Sequence, residues 1–326
     1  PRTMYQIPSS GQVVNTFPTK TFRLPVDKQA VLKSGVVALK DQAKIVPYID
    51  VTIKDEVIYK NRLLMLDIIA NNNWQRPIYF SGGSFGDDDY LWMKDYLQMD
   101  GVVYKLVPIK TPVDKDNPFD MGRVDADKSY EIVKNWDWGN SGDPAVYHDI
   151  ETRRNGLTYR SNLARIAEAL LKENKLDKAR EILDLAMEKM PVDTFAFYSL
   201  LEPYMQMYYR VNQPEKARDI YAQLAVVYQE KLLYFSSFKT NEQIDMRREI
   251  YTDMERYRAV VTVLLAEDTK QYALTEAMKF NEYIKLFPYL YNPDEGIELE
   301  DQSASNSDTE IPAEASLQEL LQSQVN

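Results

Sequence analysis

The feature that most constrains this chain is a change in the spacing of its apolar residues. From Asn162 they recur about every 3.6 positions. Leu163, Ile166, Ala167, Leu170 and Leu171 make one stripe, and Ala179, Ile182, Leu183, Ala186, Met187 and Met190 make a second. Glu173-Asn174-Lys175 separates the two, and Pro191 stops the second. Amphipathic helices joined by so short a turn bury their stripes by folding back on each other, so the spacing predicts an antiparallel hairpin.

The hairpin recurs. Gln213-Pro214-Glu215-Lys216-Ala217-Arg218 mirrors Lys175-Leu176-Asp177-Lys178-Ala179-Arg180. Tyr204, Met205 and Tyr208 take the first-helix core, Asn212 the turn, and Tyr221 and Leu224 the second helix. Ala167, Ala179 and Ala186 fall at the small positions of the tetratricopeptide (TPR) pattern, whose period is ~34 residues, and Pro191 falls at its terminating proline. Ala217 follows Ala179 by 38 residues, so the repeat is imperfect. A third pair, Glu242 to Leu265 and Thr269 to Phe287, reads as a helical cap ending at Pro288. A TPR-like helical domain is expected over residues 157–291.

Upstream the period is different. Residues 1–50 mix short β-like runs such as Val36-Val37-Ala38-Leu39 with breaks at Pro8, Pro18, Pro25 and Pro47, and read as an irregular or β-rich segment. From Val51 the pattern is regular: a strand at 51–53, a helix through Leu63, Leu64, Leu66, Ile68 and Ile69, a strand at 77–81, a helix from Asp88 to Met99 and a strand at 102–107. That alternation predicts a small α/β domain over 51–110, with a parallel or mixed sheet. Residues 111–156, rich in Asp, Asn, Pro and Gly but carrying Trp136 and Trp138, read as an ordered connection. The expected fold class is α+β, with the small α/β domain preceding the helical hairpins.

Composition bears on function mainly through charge. Of a formal net charge of -11, nine negative charges lie beyond Lys285, where there is no Lys or Arg, so the body is nearly neutral. It offers no basic footprint for nucleic acid. The acidic, Ser- and Gln-rich segment 292–326 has the composition of a disordered tail, with Ser316–Leu321 able to form a short helix. No apolar run approaches the ~18 residues of a membrane span. Because the chain begins at proline, an upstream portion is expected, and any membrane attachment would lie in it. Zero cysteines remove disulfides, thiolate metal sites and a cysteine nucleophile.

Candidate chemistry is sparse. His148 is the single histidine, and a triad with Ser141 and Asp149 would need sequence neighbours to adopt a geometry they rarely reach, so His148 reads as a hydrogen-bonded or solvated residue. Gly82-Gly83-Ser84-Phe85-Gly86 sits where phosphate loops sit, yet matches neither phosphate-binding fingerprint. Asp87-Asp88-Asp89 reads as a helix N-cap in preference to a cation site. No catalytic residue, metal site or cofactor is expected. Most of the tyrosines concentrated at Tyr198, Tyr204, Tyr208, Tyr209, Tyr221 and Tyr228 should be core. The hairpin register places Glu168, Lys172, Glu202, Gln206, Tyr209 and Arg210 along the concave groove, a polar surface suited to an extended peptide or a partner helix.

At Asn72-Asn73-Trp74-Gln75-Arg76-Pro77-Ile78-Tyr79-Phe80, and again at Tyr96-Leu97-Gln98-Met99-Asp100-Gly101-Val102-Val103-Tyr104-Lys105-Leu106-Val107-Pro108, the chain resembles a bacterial family of multi-spanning, protein O-mannosyltransferase-like membrane proteins. The likeness continues through Trp138-Gly139-Asn140, Tyr147–Asp149 and Arg154-Asn155 into the first hairpin. It implies a glycosyltransferase-C-like membrane domain that carries catalysis on the periplasmic side, followed by a soluble region of which this chain is the counterpart. None of that family's catalytic carboxylates maps onto these residues. Trp74, Pro77, Tyr79 and Tyr104 read as structural, as do Tyr96, Gln98 and Gly101, while Arg76 could pair with a buried carboxylate or face a ligand. The expected role is a non-catalytic periplasmic accessory domain that positions an acceptor protein, or the parent's own membrane domain, for protein O-mannosylation, with the membrane reached only through an upstream segment. The alternative is a free-standing TPR scaffold for protein assembly.

Overall fold

Short antiparallel ribbons form the first strands. In the computed structural model, which describes residues 3–81, 88–113, 121–196, 198–290 and 296–297, β1 (Thr3–Gln6) and β2 (Val13–Thr16) form an antiparallel hairpin. Next, β3 (Thr21–Pro25) pairs antiparallel with β4 (Tyr48–Thr52). Ile49 and Val51 of β4 are fully buried, whereas Tyr48, Asp50 and Thr52 face outward, the period of two expected of a half-buried strand. Because β4 pairs with β3, backbone pairing runs across position 50. Between them α1 (Lys28–Lys33) starts at Asp27, whose carboxylate accepts from the backbone N–H groups of Gln29 and Ala30.

The chain divides into two compact units, Pro1–Val133 and Lys134–Asn326. The first also holds α2 (Lys60–Asn71), α3 (Ala126–Lys134, ending at the boundary) and a second sheet of β5 (Tyr79–Phe80), β6 (Leu97–Asp100), β7 (Val103–Leu106) and β8 (Arg123–Val124). The strand order is β5-β7-β6-β8, antiparallel except for the parallel β6–β8 pair, so the sheet is mixed. Gly101, at φ 73° and first of the two loop residues between β6 and β7, supplies the positive φ that a tight hairpin of the II′ kind needs there.

The helix expected over Asp88 to Met99 does not form. Leu91 and Trp92 take left-handed φ values of 53° and 60°, which an α-helix excludes. Turns and one 3-10 turn at Lys94–Tyr96 replace it, and its last three residues enter β6, which is buried on both faces. Leu97 and Met99 alternate with Gln98 and Asp100, but a period of two over four residues is too short to stand against the longer helical spacing read from Asp88.

The second unit is helical. Trp136 and Trp138 pack edge-on at 5.4 Å, and each lies 5.6 Å from Tyr159. Tyr159 belongs to α4 (Ile150–Lys172), which is capped by Asp149 through the Thr152 N–H at 2.7 Å. Then follow α5 (Leu176–Lys189), α6 (Val192–Phe195), α7 (Glu202–Arg210), α8 (Pro214–Ser236), α9 (Thr240–Asp245), α10 (Arg247–Glu267) and α11 (Lys270–Ile284). Helices α4 and α5, α7 and α8, and α10 and α11 pack as successive pairs, with α8 also packing on α10. The architecture is therefore α+β, with small N-terminal sheets followed by a helical array. The turns of the first two pairs are built alike. Asn174 and Asn212 are left-handed at φ 57° and 56°, and Lys175 N–H and Gln213 N–H reach back to the carbonyls of Leu170 and Tyr208 at 2.9 Å. These are Schellman closures with asparagine at the left-handed position.

Arg160 lies on the apolar stripe of α4, 1% exposed. Its guanidinium donates to the carbonyls of Met190 (2.8 Å), Pro191 (3.4 Å) and Ala196, where α5 ends and α6 turns back. Ala196 itself is held at φ 52°, a costly conformation for a residue with a Cβ. One turn earlier Gly156 admits the Phe195 ring, since a Cβ there would stand 2.8 Å from Phe195 Cδ1.

The Gly82–Gly86 loop, Asp87 and nearly all of the acidic segment 292–326, including Ser316–Leu321, lie outside the described residues. Among the described residues no helix is long and apolar enough to cross a membrane.

Replacing Arg160 by Leu takes this donor from the Met190 and Ala196 carbonyls, and the expected cost is about 3 kcal/mol, read as a lower urea midpoint by circular dichroism. A loss under about 1 kcal/mol would show that the carbonyls do not need the guanidinium.

Candidate functional site

The second stretch of the sequence motif encloses a buried polar network in the first unit. Asp100, 5% exposed at the end of β6, accepts from Gln98 Nε2 at 2.7 Å and lies 3.1 Å from Lys105 Nζ and 3.3 Å from Lys128 Nζ. The Tyr79 hydroxyl approaches the same carboxylate at 3.4 Å. Gln98 Oε1 in turn accepts from Arg123 at 2.8 Å, and Arg123 donates to Asp41 at 2.7 Å, which Lys44 also holds at 2.7 Å. Strand pairing causes this convergence: Gln98 stands opposite both Lys105 and Arg123, which brings the three side chains together on β7, β6 and β8.

Burial, with the neighbouring Lys128, pulls Lys105 down to about 8. Lys128 moves the other way despite its own burial, because Lys105 and Asp100 favour its charged form. A lysine near neutrality has the electronics of a nucleophile or general base. Lys105 is only 1% exposed, however, which closes it to a substrate in this conformation. The network is suited to holding the sheet together and not to turnover.

The other motif residues divide between core and surface. Trp74 is buried and its indole donates to the Pro25 carbonyl at 3.0 Å, tying the end of α2 to β3. Tyr104 is buried, its ring edge-on to Tyr90 at 6.0 Å. Gly122 gives it room, since a Cβ there would approach Tyr104 Cδ1 to 3.2 Å. Arg76 and Pro77 are exposed. Arg76 has no ion-pair partner among the described residues, so no buried carboxylate there holds it. Tyr96 is half-buried on the wall of a cleft. Helix α2 buries only Ile69 and leaves Leu64 and Ile68 60% and 55% exposed.

In the helical unit, Glu168 and Lys172 sit on α4 as an ion pair at 2.9 Å, and Glu202, Gln206, Tyr209 and Arg210 sit on α7, which packs on α4. Glu202 and Gln206 are half-buried and Arg210 is exposed. Burial raises the Glu202 carboxyl. The Tyr209 hydroxyl is committed inside the protein, donating to Asp268 at 2.5 Å. Asp268 also accepts from Arg218 Nε at 2.8 Å, and the Arg218 guanidinium lies 4.8 Å over the Tyr272 ring. Hydrogen bonds from Arg218 hold the Asp268 carboxyl well below the usual range against its burial, with Tyr209 and the Thr269 N–H adding to them. Tyr204, Tyr208, Tyr221 and Tyr228 are core. Neither Arg160 nor the Arg218–Asp268 clasp is among the residues expected from sequence. The signal for Arg160 was an arginine in register with Leu163, Ala167 and Leu170, whereas Arg218 and Asp268 lie on elements that no local pattern connects.

The remaining sequence candidates do not assemble into chemistry. His148 Nε2 meets the Ser141 carbonyl at 3.1 Å and its ring lies 5.1 Å from Phe195, while the Asp149 carboxylate caps α4. Asp88 and Asp89 pair with Arg62 and begin no helix. Among the described residues no group of three His, Cys, Asp or Glu side chains is placed to hold a metal ion.

Residues 1–128 match a protein family described as TMEM260-associated domain 2. No curated protein and no solved structure matches the chain. The matched stretch contains the Asp100 network, Trp74, α2 and the cleft beside Tyr96, and stops short of the helical array.

Two titrations follow from these sites. Lys105 releases its proton near pH 8 in the folded chain and near ~10.4 when unfolded. The unfolded state therefore binds more protons between those values, and stability contributed by this residue rises with pH across that window. In Lys105→Met the rise from pH 8 to 9.5, measured by urea denaturation, should shrink. For Asp268 the depressed carboxyl acts with the same sign at the acid end: its contribution is present above ~4 and lost as pH falls through the folded value. Asp268→Asn should cost about 2 kcal/mol at pH 7 and lose less stability than the parent on acidification below pH ~4. An unchanged acid profile in that variant would show that another carboxylate controls acid unfolding.

Proposed function

We propose that this chain is the accessory, interaction-bearing part of a TMEM260-like membrane protein of the glycosyltransferase class, acting on the periplasmic side of the inner membrane. The observation that carries the reading is the match of residues 1–128 to a TMEM260-associated domain. The resemblance of the Trp74–Phe80 and Tyr96–Pro108 segments to O-mannosyltransferase-like membrane proteins supports it. Catalysis would lie in the parent's membrane domain, and this chain would position an acceptor protein for transfer.

Two surfaces fit such a role. The exposed Leu64 and Ile68 of α2, with Val57 and Tyr59 65% and 73% exposed just before the helix, form an unpartnered apolar face that suits docking on the parent's membrane domain. The TPR-like hairpins, with Glu168, Lys172, Glu202, Gln206 and Arg210 along α4 and α7, suit an extended peptide or helix of the acceptor. A free-standing TPR scaffold is the competing account, and it requires no use of the α2 face.

The test uses the complete membrane protein. Leu64→Glu with Ile68→Glu changes only exposed positions, so the chain should keep its helicity while acceptor glycosylation falls at least tenfold. Full glycosylation by a folded double variant would remove the docking role. This chain has no cysteine, so in a complete protein stripped of any cysteines outside it a single Glu173→Cys at an exposed turn reports the compartment: labelling of intact cells by an outer-membrane-permeant, inner-membrane-impermeant maleimide is expected, and labelling only after lysis would place the chain on the other side.

A further inference from the structure

The outward face of the β3–β4 ribbon forms one wall of an open cleft of about 500 Å³, within the usual range of ~300–1,000 Å³ for small-molecule sites. The segment 92–96 forms the opposite wall. Three aromatic side chains line it: Tyr48, 42% exposed, and the half-buried Trp92 and Tyr96.

Two of them are fixed by neighbouring structure. Arg23 lies 3.7 Å over one face of Tyr48 and donates two bonds to Asp50, at 2.8 and 2.9 Å, so the ring and the carboxylate are fixed together. Trp92 sits at φ 60° between Leu91 and Met93, which are 0% and 1% exposed. The anchoring of its neighbours in the core therefore sustains a left-handed backbone under a bulky aromatic residue, a conformation that costs of order 1–3 kcal/mol. On the same wall Asp95 accepts from the Val113 N–H at 3.3 Å. Burial, then Asp95, Asp50 and Tyr48, push the Tyr96 hydroxyl up, so it remains protonated and can donate. Neither tyrosine hydroxyl has a hydrogen-bond partner among the described residues.

The chemistry of the lining narrows the ligand. The lining mixes carboxylates at 50 and 95 with lysines at 54, 94 and 110, so it presents no single-sign field of the kind that favours a polyanion or a polycation. An apolar ligand would strand these polar groups. A neutral molecule with apolar C–H faces and many hydroxyls satisfies both requirements: its ring faces lie on the aromatic rings, and its hydroxyls donate to Asp50 and accept from the tyrosines.

We propose that this cleft binds a neutral oligosaccharide, stacked on Tyr48, Trp92 and Tyr96 and hydrogen-bonded by Asp50. The assignment rests on the cleft's own side chains, so its failure would leave the accessory role standing, and the loss of that role would leave the cleft's ligand unchanged.

The test is a titration of the chain with hexasaccharides of mannose, glucose and N-acetylglucosamine, followed by amide chemical shifts. Saturable shifts confined to residues 46–54 and 92–96 are expected with at least one sugar. Affinity should fall at least tenfold in Trp92→Ala and three- to tenfold in Tyr96→Phe, which keeps the ring and removes only the hydroxyl. Because Trp92 is itself half-buried, Tyr96→Phe provides the second, nearly isosteric check on a folded protein. No saturable shift with any of the three sugars, shifts that persist unweakened in both variants, or saturable binding of inorganic phosphate or an extended peptide at this cleft instead would each overturn the assignment.

Discussion

The helical unit depends on a positive charge buried without a carboxylate. Removing a guanidinium from water is expensive, and Arg160 recovers that cost from the Met190 and Ala196 carbonyls, at the end of α5 and the turn after α6, and more weakly from Pro191, whose carbonyl also accepts from the Phe195 N–H. The favourable direction of the α5 dipole adds to this, since a helix C-terminus attracts positive charge. Burial lowers the arginine to about 10, still far above neutrality, so the charge persists. Its own backbone carbonyl takes the Tyr204 hydroxyl at 2.7 Å, which carries the same clasp to α7. One side chain thus sets where the first hairpin ends and where the second begins.

The lengthened spacing between hairpins has its origin in the same place. The segment from Pro191 to Leu201 carries α6, the strained Ala196 and a 3-10 turn at Tyr198–Leu200 before α7 starts. Arg160 and the Phe195 ring seated over Gly156 tie that segment to α4. Farther along, Asp268 at the start of α11 does comparable work with Arg218 and Tyr209, joining the third pair to the second through two charge-assisted bonds and a phenol. Tyrosines serve well here because each fills core volume and still delivers a hydroxyl to a fixed acceptor, as Tyr208 does to Asp184 at 2.9 Å and Tyr221 to Glu276 at 3.0 Å.

The first unit solves a different problem. Its second sheet is short and small, and β6 is buried on both faces, so polar residues of the motif are drawn inside with the apolar ones. Asp100 collects Gln98, Lys105 and Lys128, and the Gln98–Arg123–Asp41 chain extends the network to the 3-10 turn at Leu39–Lys44. A motif that is recognisable in sequence therefore marks an interior fastening. The cleft lies beside it, lined by Tyr96 of the motif together with Trp92 and Asp50, which the motif does not contain.

Local physics determined much of this protein from sequence alone. The 3.6-residue stripes through Leu163 and Ile182, the asparagine turns and the prolines specify helices and their pairing, because each helix has one apolar face and too little chain between it and the next to pack elsewhere. The alternation in β4 and the glycine at the β6–β7 turn are local in the same sense. Only the tertiary structure decided the rest. The stretch from Asp88 to Met99 has apolar residues compatible with a helix, and burial of Leu97 and Met99 on a sheet, with Leu91 and Trp92 left-handed, made it a turn and a strand. Tyr209, whose position in the repeat assigns it to a groove, was claimed by Asp268 from 59 residues away. Arg160 reads as an interruption of an apolar stripe until the carbonyls it meets are in view. Pairings between distant polar groups depend on where the backbone brings them, and no spacing along the chain encodes that distance.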